Sequence, residues 1–164
     1  MKLPGWITTA TAALVAAVLP ACDGLTLQEL KPGVSTAAEV RSRMGNPGYE
    51  HRNDDGTVTW EYNRQPNGTE CHMLTFDANQ VLVKIEQVLT ADYQARVKEG
   101  MDREEVRRLL GKPGLVQVFK NLDEEVWDWR VAGTLPTEET HFHVHFGLAD
   151  GLVRKTSRRV EAKG

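Results

Sequence analysis

Three histidines alternate with apolar residues in the segment from His141 to His145. Alternate residues of a β-strand share one face, so the imidazoles of His141, His143 and His145 would stand in a row on one side of such a strand. Two histidines spaced in this way can share a Zn²⁺ ion, and a third ligand would complete an open site. Neighbours on one face of a strand lie about 6.6 Å apart, so one ion could take all three imidazoles only if the strand were distorted.

An exposed row without metal is the alternative, and the sequence favours it. Phe142, Val144 and Phe146 would then lie in the core, and the histidines would line the open face of an amphipathic strand. Such a row can serve as a recognition stripe whose charge varies with pH. The sequence therefore predicts no metal site, and it marks His143 as a candidate contact for a partner.

Nothing else in the sequence is typical of an enzyme. No Ser/His/Asp or Cys/His arrangement has supporting context, and the Gly-x-Pro-Gly motifs at 45–48 and 111–114 are helix stops rather than phosphate-binding loops. The chain has 20 Lys and Arg against 23 Asp and Glu, and no basic stripe that could hold nucleic acid. We therefore expect a non-enzymatic protein without a cofactor that does not bind nucleic acid.

The histidine row lies in the second of two similar halves of the chain. Both halves contain, in the same order, a helix-like segment, a Gly-x-Pro-Gly motif, an aromatic–acidic–aromatic triplet and a segment that ends in Phe. These are 33–40, 45–48, 60–62 and 74–76 in the first half, and 100–106, 111–114, 127–129 and 144–146 in the second. The repeat indicates one scaffold made twice, and it favours a shared surface over a single catalytic pocket.

Helix signals open each half, and strand signals follow. Ser35 or Thr36 is the expected N-cap of the first helix, with Glu39 three residues after Thr36. Asp102 is the expected N-cap of the second, with Glu105 three residues later, and a Gly-x-Pro motif ends each helix. Weaker helix signals precede them at 25–30 and 91–99. After each Gly-x-Pro motif the apolar residues alternate, which predicts a meander of about four strands per half.

The predicted fold class is α+β. It consists of two tandem helix–helix–antiparallel-sheet repeats, 22–89 and 90–164, with helices on one face and an open concave sheet face. The two sheets could join edge to edge into one long curved surface, which would hide two sheet edges.

The predicted strands carry four aromatic residues, Trp60, Tyr62, Trp127 and Trp129, whose role depends on the direction in which they point. Inward, they form the core; outward, they are anchors of the kind that dominate interfaces. At least one of each pair is expected in the core. The candidate partner contacts are Trp60, Tyr62, Arg64, Trp127, Trp129 and His143.

The N-terminal 1–21 segment is predicted to be a signal peptide. Its apolar stretch is too short for a comfortable membrane span and ends in small residues. Leu19-Pro20-Ala21-Cys22 matches a lipobox, in which Cys22 becomes the acylated first residue of a lipoprotein that carries palmitate-type chains. Acyl chains on Cys22 would anchor the protein firmly to a membrane. An ordinary signal peptide with an incidental cysteine is the alternative.

The second cysteine, Cys71, has no disulfide partner within the chain once Cys22 is acylated. It is either a buried small residue or a free thiol. Aligning Phe76 with Phe146 places Cys71 and Met73 on the predicted open face, where the histidines stand in the second half, and points His72 to the core.

The first half resembles the BamE (SmpA/OmlA) lipoprotein family over residues 25–89. The matching segments are 33–40, 45–47, 56–57 with 60–62, 64–66 with Gly68, 74–76 and 81–82. The resemblance implies a non-enzymatic subunit of the machinery that inserts β-barrel proteins into the outer membrane. Two such units in tandem resemble the β-lactamase inhibitor protein fold, whose concave sheet grips a partner protein.

Three functions follow as hypotheses. The first is an envelope lipoprotein that binds protein partners in outer-membrane assembly or maintenance, as the BamE resemblance implies. The second is an inhibitor-like or sensor-like binding module for an exported enzyme. The third is a lipoprotein that binds metal through His141, His143 and His145.

The location of the lipid anchor has two possible answers. The family resemblance implies the periplasm-facing side of the outer membrane. Asp23, directly after the acylated cysteine, resembles the signal that retains lipoproteins in the inner membrane of enteric bacteria. We expect the outer membrane.

Overall fold

The computed structural model describes residues 23–162, so the predicted signal peptide and its lipidation site at Cys22 lie outside the described residues. The first half contains helices α1 (Asp23–Glu29) and α2 (Ala37–Met44) and strands β1 (Tyr49–Arg52), β2 (Val58–Asn63), β3 (Cys71–Phe76) and β4 (Leu82–Gln87). The second half contains helices α3 (Ala91–Gln94) and α4 (Arg103–Leu110) and strands β5 (Leu115–Phe119), β6 (Glu124–Val131), β7 (Glu138–Gly147) and β8 (Val153–Ala162), with a 3₁₀ turn at Lys120–Leu122. Within this range no helix is both long and apolar enough to cross a membrane.

Local sequence signals account for the two longer helices. The Asp102 side chain accepts a hydrogen bond from the backbone N–H of Glu105, and the Glu105 carboxylate accepts one from the backbone N–H of Asp102. This reciprocal pair satisfies two N–H groups that the first turn of α4 leaves without intrahelical partners. At α2 the Thr36 hydroxyl accepts a hydrogen bond from the backbone N–H of Glu39 at 3.2 Å.

The helix expected over 91–99 is shorter than predicted, because α3 ends at Gln94. Beyond that residue the N–H groups of Arg96 and Val97 bond to carbonyls three residues back, which tightens the chain into turns. The turns bury Val97 in the core and bring Gly100 N within 2.9 Å of Val153 O. These contacts of Val97 with the core and of Gly100 with β8 therefore end the helix.

The eight strands form two separate antiparallel sheets, which confirms the α+β class. Sheet 1 has the order β1-β2-β3-β4, and sheet 2 has the order β5-β6-β7-β8. The expectation that the sheets join edge to edge is wrong. Helix α4 and the turn that follows it lie between the sheets and contact both of them, so the sheets meet through side chains.

Two apolar clusters hold the molecule together. One lies between sheet 1 and helices α1 and α2, and contains Leu30, Ala37, Val40, Trp60, Leu74, Phe76 and Leu82. The other lies around α4, and contains Cys71 and Met73 from sheet 1 together with Val88, Leu89, Val97, Val106, Leu110, Trp129, Val131, Phe142, Val144, Phe146 and Val153. The second cluster draws on both halves, so the halves share a core.

The predicted open face is therefore wrong for sheet 1. Cys71 and Met73 point to the expected face, opposite Leu74 and Phe76, but both side chains are buried. They pack in one cluster with Val106 and Leu110 of α4. Sheet 1 is thus covered on both faces, by α1 and α2 on one side and by the α4 region on the other.

In the described part of the chain, the apolar core lies against one face of sheet 2. This core face carries Trp129, Phe142, Val144 and Phe146, and neither apolar cluster includes a side chain of the opposite face. We call this opposite face the histidine face. From the strand registers it comprises Leu115, Gln117, Phe119, Glu124, Val126, Asp128, Arg130, His141, His143, His145, Lys155, Ser157 and Arg159.

Candidate functional site

The cross-strand register of sheet 2 brings a carboxylate of β6 to the middle of the histidine row on β7. Asp128 lies directly opposite His143 and diagonally opposite His141. Its Oδ1 is 2.7 Å from His141 Nδ1, and its Oδ2 is 3.0 Å from His143 Nε2. Asp128 is only 8% exposed, so the two imidazoles provide the polar contacts that a buried carboxylate requires.

The other nitrogen of each of these two rings also has a polar partner. His141 Nε2 lies 3.1 Å from Glu139 Oε1, and His143 Nδ1 lies 3.3 Å from Ser157 Oγ. Each ring is thus held at both ends, which fixes its orientation on the face. One ligand atom each from Asp128, His141 and His143 lies within 4.8 Å of the other two, so the three side chains could hold a metal ion.

His145 belongs to a different group of side chains. Its Nδ1 lies 3.2 Å from Glu124 Oε2, and its Nε2 lies 2.9 Å from Ser157 Oγ. The hydrogen bond from His145, together with the Lys155 ammonium 3.3 Å away, holds the pKa of Glu124 below its ordinary value. The histidine row is therefore divided into a pair around Asp128 and a single residue beside Glu124.

Sheet 1 carries a carboxylate at the equivalent position, Glu61, which follows Trp60 as Asp128 follows Trp127. Glu61 is 2% exposed, because the α4 region covers it. Its Oε1 accepts hydrogen bonds from the backbone N–H of Lys112 at 2.9 Å and from Asn63 at 3.0 Å, and its Oε2 lies 3.7 Å from Arg107. The second half of the chain thus supplies a guanidinium and a backbone donor to this carboxylate.

The environment of Glu61 favours its charged form. Burial acts to raise the pKa of this carboxyl group. The hydrogen bonds from His51, Lys112 N and Asn63, together with the charge of Arg107, outweigh burial and hold the pKa below its ordinary value. Glu61 is therefore an ion that joins the two halves of the molecule.

Strand β5 forms an apolar edge beside the histidine face, which the sequence pattern did not predict. All five residues of β5 are exposed. The exposed large side chains on β5 and the turn after it are Leu115, Val116, Val118, Phe119 and Leu122. The equivalent strand β1 is Tyr-Glu-His-Arg. The signal was present in the sequence Leu-Val-Gln-Val-Phe, which lacks the alternation of a strand with one solvated face.

The Gln65-Pro66 segment of the first half meets sheet 2 at the end of the histidine face. Gln65 Nε2 donates to Arg130 O at 2.6 Å, and Arg130 N donates to Gln65 Oε1 at 2.9 Å. The amide group of Gln65 thus makes the two hydrogen bonds to Arg130 that a neighbouring strand would make through its backbone. A cavity of about 240 Å³ lies beside this contact, lined among others by Pro66, Asp128 and His141.

Four of the six candidate partner contacts lie on the sheet faces that the helices cover. Trp60 and Trp129 are buried in the two cores. Tyr62 packs against the first core and donates to Gly45 O at 2.9 Å, and burial raises its pKa to about 12. Trp127 packs against Phe146 and donates to Glu125. These rings stabilise the fold, because each lies on the sheet face that the helices cover.

The remaining predicted contacts, Arg64 and His143, lie outside the two apolar clusters. Arg64 is exposed in the turn after β2, and His143 lies at the centre of the histidine face. His72 lines a cavity of about 280 Å³ beside Tyr62 and Arg64, on the helix side of sheet 1. The buried Cys71 has a raised pKa, chiefly because of burial, and this disfavours its thiolate.

No family model and no curated protein matches the chain, so the BamE resemblance has no support from those comparisons. Among solved structures, a candidate beta-lactamase inhibitor protein from Streptococcus mutans is 10% identical, with a TM-score of 0.34, over 83% of this chain and 94% of that one. A DUF4309 family protein from Bacillus subtilis is 18% identical, with a TM-score of 0.30, over 83% of this chain and 84% of that one. With both TM-scores below 0.5, the fold assignment rests on the chain's own elements.

Proposed function

We propose that this protein is a non-enzymatic, lipid-anchored binding module of the bacterial envelope, and that its partner is a protein that binds along the edge strand β5. The apolar edge is the observation that carries this proposal. A strand with every residue exposed and four large apolar side chains is costly to leave in water and prone to pairing with another chain. Other edges of the sheets carry charged residues, such as Glu50 of β1 and Arg158 of β8.

The geometry of β5 favours an extended segment as the bound part of the partner. A strand added at this edge would gain backbone hydrogen bonds from β5. Its side chains would meet Leu115 and Phe119 on the histidine face and Val116 and Val118 on the other face. Apolar contacts on both faces then provide affinity, and the histidine face provides polar contacts that select the partner.

Site-specific photo-crosslinking in intact cells tests this proposal. A benzophenone amino acid replaces Val118 on β5, and a matched variant carries it at Val83, an exposed valine on the edge strand β4 of sheet 1. We expect a discrete crosslinked adduct from position 118 that position 83 does not give. Equal adducts from both positions, or none from position 118, would contradict the proposal.

We further infer a role in outer-membrane assembly or envelope maintenance, and the support for this is the BamE resemblance of residues 25–89. An inhibitor-like or sensor-like module for an exported enzyme is the second candidate, since a surface without catalytic residues suits either role. Mass spectrometry of the adduct separates the two. Barrel-insertion subunits would favour the first, and a single soluble hydrolase would favour the second.

Outer-membrane anchoring through Cys22 is the corresponding proposal for location. Fractionation of cells that express the native chain, beside an Asp23→Ser variant, tests it. We expect both proteins in the outer membrane. Movement of the variant from the inner to the outer membrane would show that Asp23 acts as a retention signal and would overturn this proposal.

A further inference from the structure

We propose that Asp128, His141 and His143 form a Zn²⁺ site on the histidine face, with one carboxylate oxygen and two imidazole nitrogens as protein ligands. This site does not rest on partner binding at β5. Two imidazoles and a carboxylate form a donor set typical of zinc centres that keep a further coordination position open. Ca²⁺ and Mg²⁺ prefer oxygen ligands alone, so this set disfavours them.

The ligand atoms lie close to the positions that zinc requires. One atom from each of the three side chains falls within 4.8 Å of the other two. Zinc–ligand bonds of about 2.0–2.1 Å in a tetrahedral site place ligand atoms roughly 3.3 Å apart. Asp128 Oδ1 lies 2.7 Å from His141 Nδ1, and Asp128 Oδ2 lies 3.0 Å from His143 Nε2, so side-chain rotations would bring one oxygen and the two nitrogens around an ion.

The polar partner at the second nitrogen of each ring is typical of a histidine that binds a metal. A histidine that binds a metal usually donates its other ring N–H to a carboxylate or another polar acceptor, which fixes the tautomer. Nε2 of His141 lies 3.1 Å from Glu139 Oε1, so this nitrogen would donate to Glu139 when zinc takes Nδ1. Nδ1 of His143 lies 3.3 Å from Ser157 Oγ, so this nitrogen would donate to Ser157 when zinc takes Nε2. Zinc would thus replace the hydrogen bonds that join Nδ1 of His141 and Nε2 of His143 to Asp128.

The charge balance also favours a cation at this point. On sheet 1 the equivalent carboxylate, Glu61, has the Arg107 guanidinium beside it. Among the described residues, Asp128 makes its direct ion-pair contacts with His141 and His143. The two guanidinium groups that line the same cavity, Arg130 and Arg159, lie within ion-pair distance of other carboxylates, Glu139 and Glu161. A zinc ion would supply a positive charge beside Asp128.

The open coordination position would face the cavity of about 240 Å³ that Asp128 and His141 line. Water would fill this position when the protein is alone. His145 is excluded from the ligand set, because its two ring nitrogens contact Glu124 and Ser157. The proposal is therefore specific for two of the three histidines.

Isothermal titration calorimetry of the full chain in detergent, purified without a histidine tag, tests the site with ZnCl₂. We expect one zinc per chain for the wild type, and a loss of affinity of more than about 100-fold for His143→Ala and for Asp128→Asn, which exceeds the effect of removing an outer-shell partner. Glu139→Gln should weaken binding by roughly 10-fold. His145→Ala is the matched control and should bind as the wild type does.

Cobalt substitution gives a second measurement that does not depend on heats of binding. Co²⁺ in the proposed site should show the visible absorption of a low-coordinate nitrogen and oxygen site, and His145→Ala should keep that spectrum. Circular dichroism of each variant separates loss of zinc from loss of folding. Absence of zinc binding by the wild type, or equal losses in His143→Ala and His145→Ala, would overturn the site. No partner is present in these experiments, so either result leaves binding at β5 to be judged by crosslinking.

Discussion

Sheet 1 and sheet 2 carry a carboxylate at the same position and surround it differently. Glu61 lies under the α4 region and accepts hydrogen bonds from Lys112 N and Asn63. Asp128 lies on a face that no described helix covers, and its contacts are two histidines. The face that carries the carboxylate thus joins the two halves in sheet 1, whereas in sheet 2 it carries the proposed ligand site.

The difference follows from the place of α4 in the chain. The helix that opens the second half packs its Val106 and Leu110 into a cluster shared with Cys71 and Met73 of sheet 1. A third unit would be needed to cover sheet 2 in the same way. Without one in the described residues, the histidine face keeps polar side chains at the positions where sheet 1 has a thiol and a thioether.

Removing the carboxylate from each sheet in turn should give the largest difference in the free energy of unfolding. We expect Glu61→Ala to lower the free energy of unfolding by about 3–5 kcal/mol, because Arg107 and the N–H of Lys112 lose a buried partner. Asp128→Ala should cost about 1 kcal/mol, because the two imidazoles lie outside the apolar clusters and can bond to water instead. Urea denaturation measures both. Similar losses would mean that the α4 region does not distinguish the two faces.

The Gly-x-Pro turns offer a second matched pair. A Cβ on Gly111 would lie 2.6 Å from Cys71 Sγ, whereas one on Gly45 would have no neighbour within 4 Å. Both glycines have φ near +80°, which strains any other residue by roughly 1–2 kcal/mol. Gly111→Ala should therefore cost about 1–3 kcal/mol more than Gly45→Ala, from overpacking against sheet 1.

Rescue identifies the cause of that difference. Removing the sulfur with Cys71→Ala should recover part of the loss in Gly111→Ala and none of the loss in Gly45→Ala. Equal unfolding free energies for the two single glycine variants would show that the turn after α4 does not press on sheet 1.

Local sequence signals predict where the helices and strands lie, but they do not predict which face of each sheet is covered. Thr36, Asp102 and the glycine stops act over a few residues, so the two longer helices could be placed from sequence alone. Alternation located the strands, yet it cannot say which face a distant helix covers. The sequence held one indication: Cys71 and Met73 are less polar than His141 and His143, and a covered face favours less polar residues.

The candidate site was only partly accessible to sequence reasoning. The spacing of the histidines placed them on one face of a strand, and the structure agrees. The role of Asp128 depends on the register between β6 and β7, which the loop after Val131 sets and no local pattern reveals. The sequence left each aromatic residue as either a core residue or a partner contact, because alternation alone does not show which face of the sheet the helices cover.

Lowering the pH should weaken the contacts that Glu61 makes between the two halves, and so lower the stability of the fold. The pKa of this group is below its ordinary value in the folded state, so its contribution to stability is present above the ordinary glutamate pKa of about 4.3 and is lost as pH falls through the folded value. The wild type should therefore lose stability more steeply than Glu61→Gln between pH 5 and pH 3. Thermal unfolding followed by circular dichroism measures this, and parallel pH profiles would exclude Glu61 as the acid-sensitive contact.

Changes on the exposed edge strand β5 should affect stability least. Val118→Lys places a charge on an exposed edge, so we expect the free energy of unfolding to change by no more than about 0.5 kcal/mol. The same change should abolish the adduct formed by a photo-crosslinker at position 116. A large loss of stability would show that β5 is packed within the molecule rather than available to a partner.

Thiol labelling tests most directly whether one face is closed and the other open. Native Cys71 lies on the covered face of sheet 1, and Ser157→Cys, made together with Cys71→Ser, places a thiol of similar size on the histidine face. We expect a maleimide to react with position 157 more than about 1,000-fold faster than with Cys71, whose exposure requires unfolding at a cost of at least about 5 kcal/mol. Comparable rates at the two positions would contradict this account.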